Sequence, residues 1–385
     1  METTAPAIFE IGFVLLVAAI AGWLARRAGL PAVLGYLATG LIMSPFTPGY
    51  VADRHQLQIF ADVGVVLLLF EVGIELDLAE LGRERGSLFW VAPLQTVLTG
   101  AISAAVGLLL GLRLGGAVLL GLCIALSSSV VVVNITRSRR RTTNAATDHV
   151  LLGWSVLQDV AGVMIAIVAL IGLRLQATSG LEAVELVLLY VILVVIATGL
   201  LPRLLRQLHQ EHDLFLIVSV AGALALAGVG ARFFGIPLAL AAFVSGLAIS
   251  ESREATEARE RLLPFRDVFA VLFFVAIGAL IDPGALRNGL GWLALLLGLL
   301  VVAKIVPTYL LARLGRLPGR PRQVAIGLGQ IGEFSFVLAT IGVSRQVIPG
   351  ELYAAILFAV VVTIAASTLL VRLGYPRAPA ARATS

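Results

Sequence analysis

Long apolar stretches separated by short polar loops recur along the whole chain. A helix needs about 20 mostly apolar residues to cross a membrane, and thirteen stretches approach that length. They run over 7–25, 31–49, 57–77, 87–111, 115–135, 149–173, 181–202, 213–232, 236–250, 266–282, 289–312, 322–344 and 350–372. The pattern predicts an all-α polytopic membrane protein of about thirteen transmembrane helices.

The composition agrees with a membrane protein and excludes several other classes. Hydrophobic residues make up 59% of the chain and charged residues 13%, whereas a soluble domain has about 45–50% and about 25%. This excludes a cytosolic enzyme, a disordered protein and a secreted disulfide scaffold. The single cysteine, Cys123, excludes an internal disulfide and a cysteine-based zinc site. No nucleotide-binding motif and no nucleophile–base pair occurs, so we expect no catalytic residue and no bound cofactor.

The arginines predict the orientation in the membrane. Under the thirteen-helix assignment, twenty-one arginines lie in the odd-numbered loops and the C-terminal tail, and six lie in the even-numbered loops. Because basic residues favour cytoplasmic loops, the C-terminus is predicted to be cytoplasmic and the N-terminus outside. The high isoelectric point therefore reflects topology, and nucleic-acid binding is not expected.

Two similar segments suggest an internal repeat. Gly73 is followed four residues later by Asp77, and Gly278 is followed in the same way by Asp282. The two segments end spans seven places apart, so they face opposite ways across the bilayer. Inverted repeats of this kind are common in secondary transporters. Chance similarity between apolar strings is the alternative.

Charged residues in the middle of predicted spans are the first candidates for function. Asp159, Lys304 and Glu333 each lie far from both ends of an apolar stretch. Such charges are costly in a membrane and usually functional. A buried ion pair that only fixes helix packing is the alternative, although apolar packing would avoid its desolvation cost.

Asp159 is the best candidate for an ion-binding carboxylate, because the same group can hold either a monovalent cation or a proton. Gln158 beside it offers a neutral amide. Ser127, Ser128 and Ser129 interrupt the fifth span, and glycines surround Gln330 in the twelfth. These interruptions predict two broken helices that cross at mid-membrane. Alternatively, the serines and glycines only permit close helix packing.

Six segments in order resemble the second superfamily branch of monovalent cation:proton antiporters, in particular the membrane part of Kef-type potassium/proton antiporters. The segments are VGIELD (72–77), ALSSSV (125–130), VLQDVAGV (156–163), LLPFRDVFAVLFFVAIGALID (262–282), VAKIVPTYLLARLG (302–315) and GLGQIGEFSFVL (327–338).

The resemblance implies a sodium/proton antiporter-like fold and a homodimer in membrane lipid, with an ion-binding core that moves like an elevator. Asp159 would carry the ion or proton, with Gln158 and the three serines beside it. Lys304, Glu333 and Gln330 would support the helix crossing. In sodium-type relatives an aspartate precedes the carrier and pairs with the core lysine; here Gln158 takes that place, which favours electroneutral exchange. The implied divisions are a transporter unit 1–374 with core helices 87–173 and 289–372, scaffold helices 1–86 and 181–282, and a tail 375–385.

The sequence thus predicts an antiporter of a bacterial inner membrane that exchanges K⁺, or alternatively Na⁺, for H⁺. Kef-type proteins carry a cytoplasmic regulatory domain after the membrane part. Here a separate regulatory subunit, no such regulation, or a truncated sequence are the open alternatives. A ligand-gated cation channel on the same scaffold and an organic-anion transporter of similar fold are the other functions considered.

Overall fold

The computed structural model describes residues 5–44, 54–75, 86–137, 141–172, 180–208, 210–234, 238–250, 252, 254–332 and 334–375, and these residues are nearly all helical. The helices are α1 (Ala5–Ala28), α2 (Ala32–Ile42), α3 (Arg54–Glu75), α4 (Leu88–Leu109), α5 (Leu114–Ala125), α6 (Ser129–Arg137), α7 (Ala145–Gly172), α8 (Gly180–Gln207), α9 (His212–Phe234), α10 (Leu238–Ser250), α11 (Ala255–Ala279), α12 (Pro283–Asn288), α13 (Leu290–Leu314), α14 (Pro321–Leu328), α15 (Phe334–Ser344) and α16 (Gly350–Leu370).

The predicted class of fold is confirmed. Among the described residues, seven helices are long and apolar enough to cross a membrane, and shorter apolar helices accompany them. The fifth and twelfth predicted spans are each interrupted, since α5 and α6 form one broken helix and α14 and α15 form another. The number of thirteen crossings stays a prediction.

The chain forms two compact units. The first unit comprises residues 1–19, 39–83 and 167–280, and the second comprises 20–38, 84–166 and 281–385. The predicted core segments fall largely in the second unit. Residues 20–38, which were expected among the scaffold helices, belong to the second unit as well.

Close glycine contacts hold the first unit together and repeat within it. A Cβ on Gly73 of α3 would lie 2.3 Å from the carbonyl oxygen of Phe243 on α10. It would also contact the Cα atom of Gly246 on the same helix. A Cβ on Gly40 of α2 would lie 2.8 Å from the Cα of Gly278 on α11. Gly73 and Gly278 are the positions that the predicted repeat relates. Each half of the repeat thus makes an equivalent backbone-to-backbone helix contact, as small residues permit in membranes.

The start of α11 corrects one prediction. The alternating charges of 251–266 predict a solvated amphipathic segment lying on the membrane, but from Ala255 onward they belong to the first turns of one continuous helix. Two of the positive charges pair with Glu71 of α3, which is 3% exposed. Arg259 Nε donates to its Oε1 at 2.7 Å and Arg266 Nη1 to its Oε2 at 3.0 Å. The charges therefore bind two helices of the first unit together.

The second unit contains both broken helices. α5 packs against α4 and α15, while α14 packs against α13, α16 and α6. The interrupted helices thus pack against each other and against the continuous helices α4, α13 and α16. Non-helical backbone is tolerated at membrane depth where it is buried in protein in this way.

We expect Gly246→Val to destabilise the protein by about 1–3 kcal/mol, because its Cβ would lie 2.1 Å from the Phe70 carbonyl oxygen and force α3 and α10 apart. The matched control is Gly228→Val on α9, where a Cβ meets nothing within 4 Å. Thermal melting of the purified protein in detergent measures both variants. Equal melting temperatures for the two variants would contradict the tight crossing.

Candidate functional site

Each of the two broken helices is interrupted by a short non-helical segment. α5 ends at Ala125, Leu126 adopts an extended conformation with φ −83° and ψ 139°, and α6 begins at Ser129. α14 ends at Leu328 and α15 begins at Phe334. Each interruption frees backbone N–H and C=O groups that must find partners inside the protein, because lipid offers none.

The non-helical segments hydrogen-bond to each other where they cross. Gly332 N donates to Leu126 O at 3.0 Å, and Ser127 Oγ donates to Leu328 O at 2.8 Å. A Cβ on Gly332 would lie 2.6 Å from the carbonyl carbon and oxygen of Ser127. Only glycine permits this approach, so one of the glycines that marks the second break is there for contact rather than for flexibility.

The side chain of Gln330 acts as a substitute peptide group. Its Oε1 accepts from Ser128 N at 2.8 Å, and its Nε2 donates to Ser128 O at 3.1 Å. Ser128 also caps the next helix, α6. Its Oγ accepts from Val131 N at 3.3 Å, as the side chain of an N-cap residue does. Ser128 and Gln330 therefore meet where the two broken helices cross.

Lys304 joins the C-terminal ends of α5 and α14. Its side chain is fully buried, and Nζ donates to Leu126 O at 2.9 Å and to Gln330 O at 2.7 Å. The carbonyl end of a helix carries partial negative charge, so one ammonium group serves two such ends. Lys304 lies on a π-helical segment of α13, Leu300–Ile305, a local irregularity that is frequent at functional sites.

Asp159 and Gln158 lie side by side on α7 and have different surroundings. Asp159 is 3% exposed, and its carboxylate acts electrostatically on the Lys304 ammonium. Gln158 is fully buried; its Oε1 accepts from Ser127 N at 3.0 Å, and its Nε2 donates to Ala125 O at 2.9 Å. Gln158 therefore fastens α7 to the first break, and Asp159 supplies the negative charge.

The structure brings most of the predicted site residues together in the second unit. These residues are Ser127, Ser128, Gln158, Asp159, Lys304 and Gln330. Ser129 is the half-buried first residue of α6, and Glu333 lies outside the described residues. With glutamine at position 158, Lys304 has no acidic partner there; its hydrogen-bond partners are two backbone carbonyls. The roles of these residues in transport stay predictions.

Two further groups belong to this site and were missed. Gln95 of α4 accepts from Gln158 Nε2 at 2.7 Å, and Thr99 donates to Ala303 O at 2.7 Å. Gln95, Thr99 and Ser103 follow one another at intervals of four residues and are fully buried. A polar stripe along one face of an apolar helix was the available signal.

We expect Lys304→Met to lower stability by about 3 kcal/mol, because it leaves two buried carbonyl groups without a donor and Asp159 without the charge that balances it. Arg316→Met is the control, since it removes a positive charge from an exposed side chain just after α13. Thermal unfolding followed by tryptophan fluorescence gives both values. If Lys304→Met melts at the temperature of Arg316→Met, Lys304 is not what holds the crossing together.

Comparisons with known proteins agree with this geometry. The sequence model of the sodium/hydrogen exchanger transmembrane family matches residues 15–373. The chain is 30% identical over 364 residues to the putative cation/proton antiporter YbaL of Escherichia coli (strain K12). That match covers 91% of this chain and 65% of the relative, so the chain spans just under two thirds of the relative's length.

A solved structure shares the fold. The sodium proton antiporter MjNhaP1 from Methanocaldococcus jannaschii superposes with a TM-score of 0.70 at 18% sequence identity, covering 97% of this chain and 99% of that one. The family model spans nearly the whole chain, including both broken helices and all the site residues described above. The resemblance to monovalent cation:proton antiporters, drawn from six sequence segments, is confirmed, and the chain belongs to the sodium/hydrogen exchanger family of multi-pass membrane proteins.

Proposed function

We propose that this protein is a secondary antiporter that exchanges one monovalent cation for one proton at Asp159. The observation that carries the proposal is a buried carboxylate beside two crossed, broken helices in a member of an exchanger family. A carboxylate binds either ion but not both at once. Whichever gradient is steeper then decides which ion Asp159 holds on each side of the membrane, and no other energy source is needed.

The charge balance of the site favours electroneutral exchange. The residue before the carrier is Gln158, which does not titrate, and its amide is held by backbone groups on both sides. Lys304 donates to the Leu126 and Gln330 carbonyls, which are backbone groups that do not titrate. A loaded site then carries the same charge with one cation or with one proton.

The finer features of the proposal rest on the Kef-type resemblance. The Gln158–Asp159 pair favours K⁺ over Na⁺ as substrate. Every described site residue falls in the second unit, as an elevator mechanism requires of the unit that carries the ion. We also propose a homodimer in the inner membrane of a bacterium, with the N-terminus outside and the C-terminus cytoplasmic, and with any regulation supplied from the cytoplasm.

We expect Asp159→Asn to abolish exchange, by at least about a hundredfold in rate, while the protein still folds, because an amide can neither hold a proton nor neutralise a cation. The assay uses purified protein in proteoliposomes with an internal pH dye, to which K⁺, Na⁺ or Li⁺ is added at a clamped membrane potential. Proton movement should follow the cation and should not change with the potential.

Asp267→Asn is the matched control, since it makes the same chemical change at an exposed carboxylate of the first unit and should leave exchange unchanged. Full exchange by Asp159→Asn would refute the assignment of the carrier. A cation current without proton movement in the native protein would favour the channel instead, and exchange that responds to the potential would refute electroneutrality.

A further inference from the structure

A continuous chain of buried hydrogen bonds connects the first helix break to the π segment that carries Lys304. Ser127 N donates to Gln158 Oε1, and Gln158 Nε2 donates to Gln95 Oε1. Gln95 Nε2 then donates to Thr99 Oγ1 at 2.8 Å, and Thr99 Oγ1 donates to Ala303 O, the carbonyl just before Lys304. We call the side chains of Gln158, Gln95 and Thr99 the relay.

The direction of every bond in the relay is fixed by groups that cannot reverse. A backbone N–H only donates, so Gln158 must turn its oxygen toward Ser127, and its NH₂ group then meets the Ala125 carbonyl. The indole N–H of Trp154 also only donates, and it contacts Gln95 Oε1 at 3.3 Å. Gln95 must therefore present its oxygen to Trp154 and Gln158.

The hydroxyl group of Thr99 also has a fixed orientation. It accepts from Gln95 Nε2, so its own proton is directed at the Ala303 carbonyl. In a π segment the hydrogen-bond register shifts from i→i−4 to i→i−5, and Thr99 supplies a donor from a neighbouring helix at this irregular point. The relay thus has a single arrangement, and hydrogen bonds aligned in this way strengthen one another in a low dielectric.

We propose that Gln95 and Thr99 are positioning residues that hold the first helix break and the π segment of Lys304 in register, and so set the affinity of the Asp159 site for its cation. This inference rests on the proposed function of Asp159. Neither residue touches the reacting carboxylate in the contacts described. They act through Gln158 on one side and through the backbone of Lys304 on the other.

The chain offers matched variants for the test. Thr99→Val removes the hydroxyl and keeps the shape, whereas Thr99→Ser keeps the hydroxyl. Thr96→Val is the control. Thr96 is equally buried on the same helix, but its hydroxyl donates only to Ala92 O, within that helix. Exchange in proteoliposomes gives the apparent KM for the cation and the maximal rate, and melting temperatures give stability for the single variants and for Gln95→Leu combined with Thr99→Val.

We expect Thr99→Val to raise the apparent KM about tenfold, the change that corresponds to one lost buried hydrogen bond, with the maximal rate nearly unchanged. Thr99→Ser and Thr96→Val should both retain the native KM. The double variant should have the same melting temperature as the less stable of the two single variants, because each single change already breaks the relay.

Equal kinetics of Thr99→Val and Thr96→Val would overturn the proposal, and so would additive losses of stability in the double variant. A fall in maximal rate and melting temperature at an unchanged KM would also overturn it, because Gln95 and Thr99 would then act only in packing. If the native protein shows no exchange at all, the proposed function fails, and the stability measurements still decide whether the relay couples its members.

Discussion

The carbonyl ends of two interrupted helices meet inside the second unit, and the rest of the site depends on how this concentration of negative charge is balanced. Lys304 does so by donating to Leu126 O and Gln330 O. In water such carbonyl groups would be solvated, but at membrane depth an unsatisfied one costs several kcal/mol. Lys304, the only lysine of the chain, therefore stabilises the breaks in two helices beside a buried carboxylate.

Because Lys304 stabilises the crossing, the residues around it can have separate roles. Side-chain amides replace the missing peptide partners: Gln330 pairs with Ser128, and Gln158 bridges Ser127 and Ala125. Asp159, one position further along α7, is left to provide the charge that an ion can exchange. The first unit is built in another way: backbone contacts at glycines and the ion pairs of Glu71 pack its helices tightly together.

The sequence predicts features that follow from local composition. The apolar stretches show a membrane protein, and the serines at 127–129 and the glycines around Gln330 locate both breaks. Contacts between distant residues carry no such signal. The partners of Lys304 are backbone carbonyls, which every residue possesses, so no residue type marks them. Arg259 pairs with a carboxylate 188 positions away, which is why the start of α11 looked like a surface segment. Gln95 was missed because the polar stripe that it shares with Thr99 and Ser103 carries no charge, and uncharged polar side chains also serve in ordinary helix packing.

The central claim is that one carboxylate, Asp159, holds either the cation or the proton. The most direct test is the apparent KM for the cation, measured in proteoliposomes at several values of pH. Competition for a single site predicts that, below the pKa of the carrier, the KM rises by about tenfold for each unit that the pH falls, while the maximal rate at saturating cation stays constant. An apparent KM that does not change with pH, accompanied by a falling maximal rate, would show that proton and cation bind at different sites and would contradict the account.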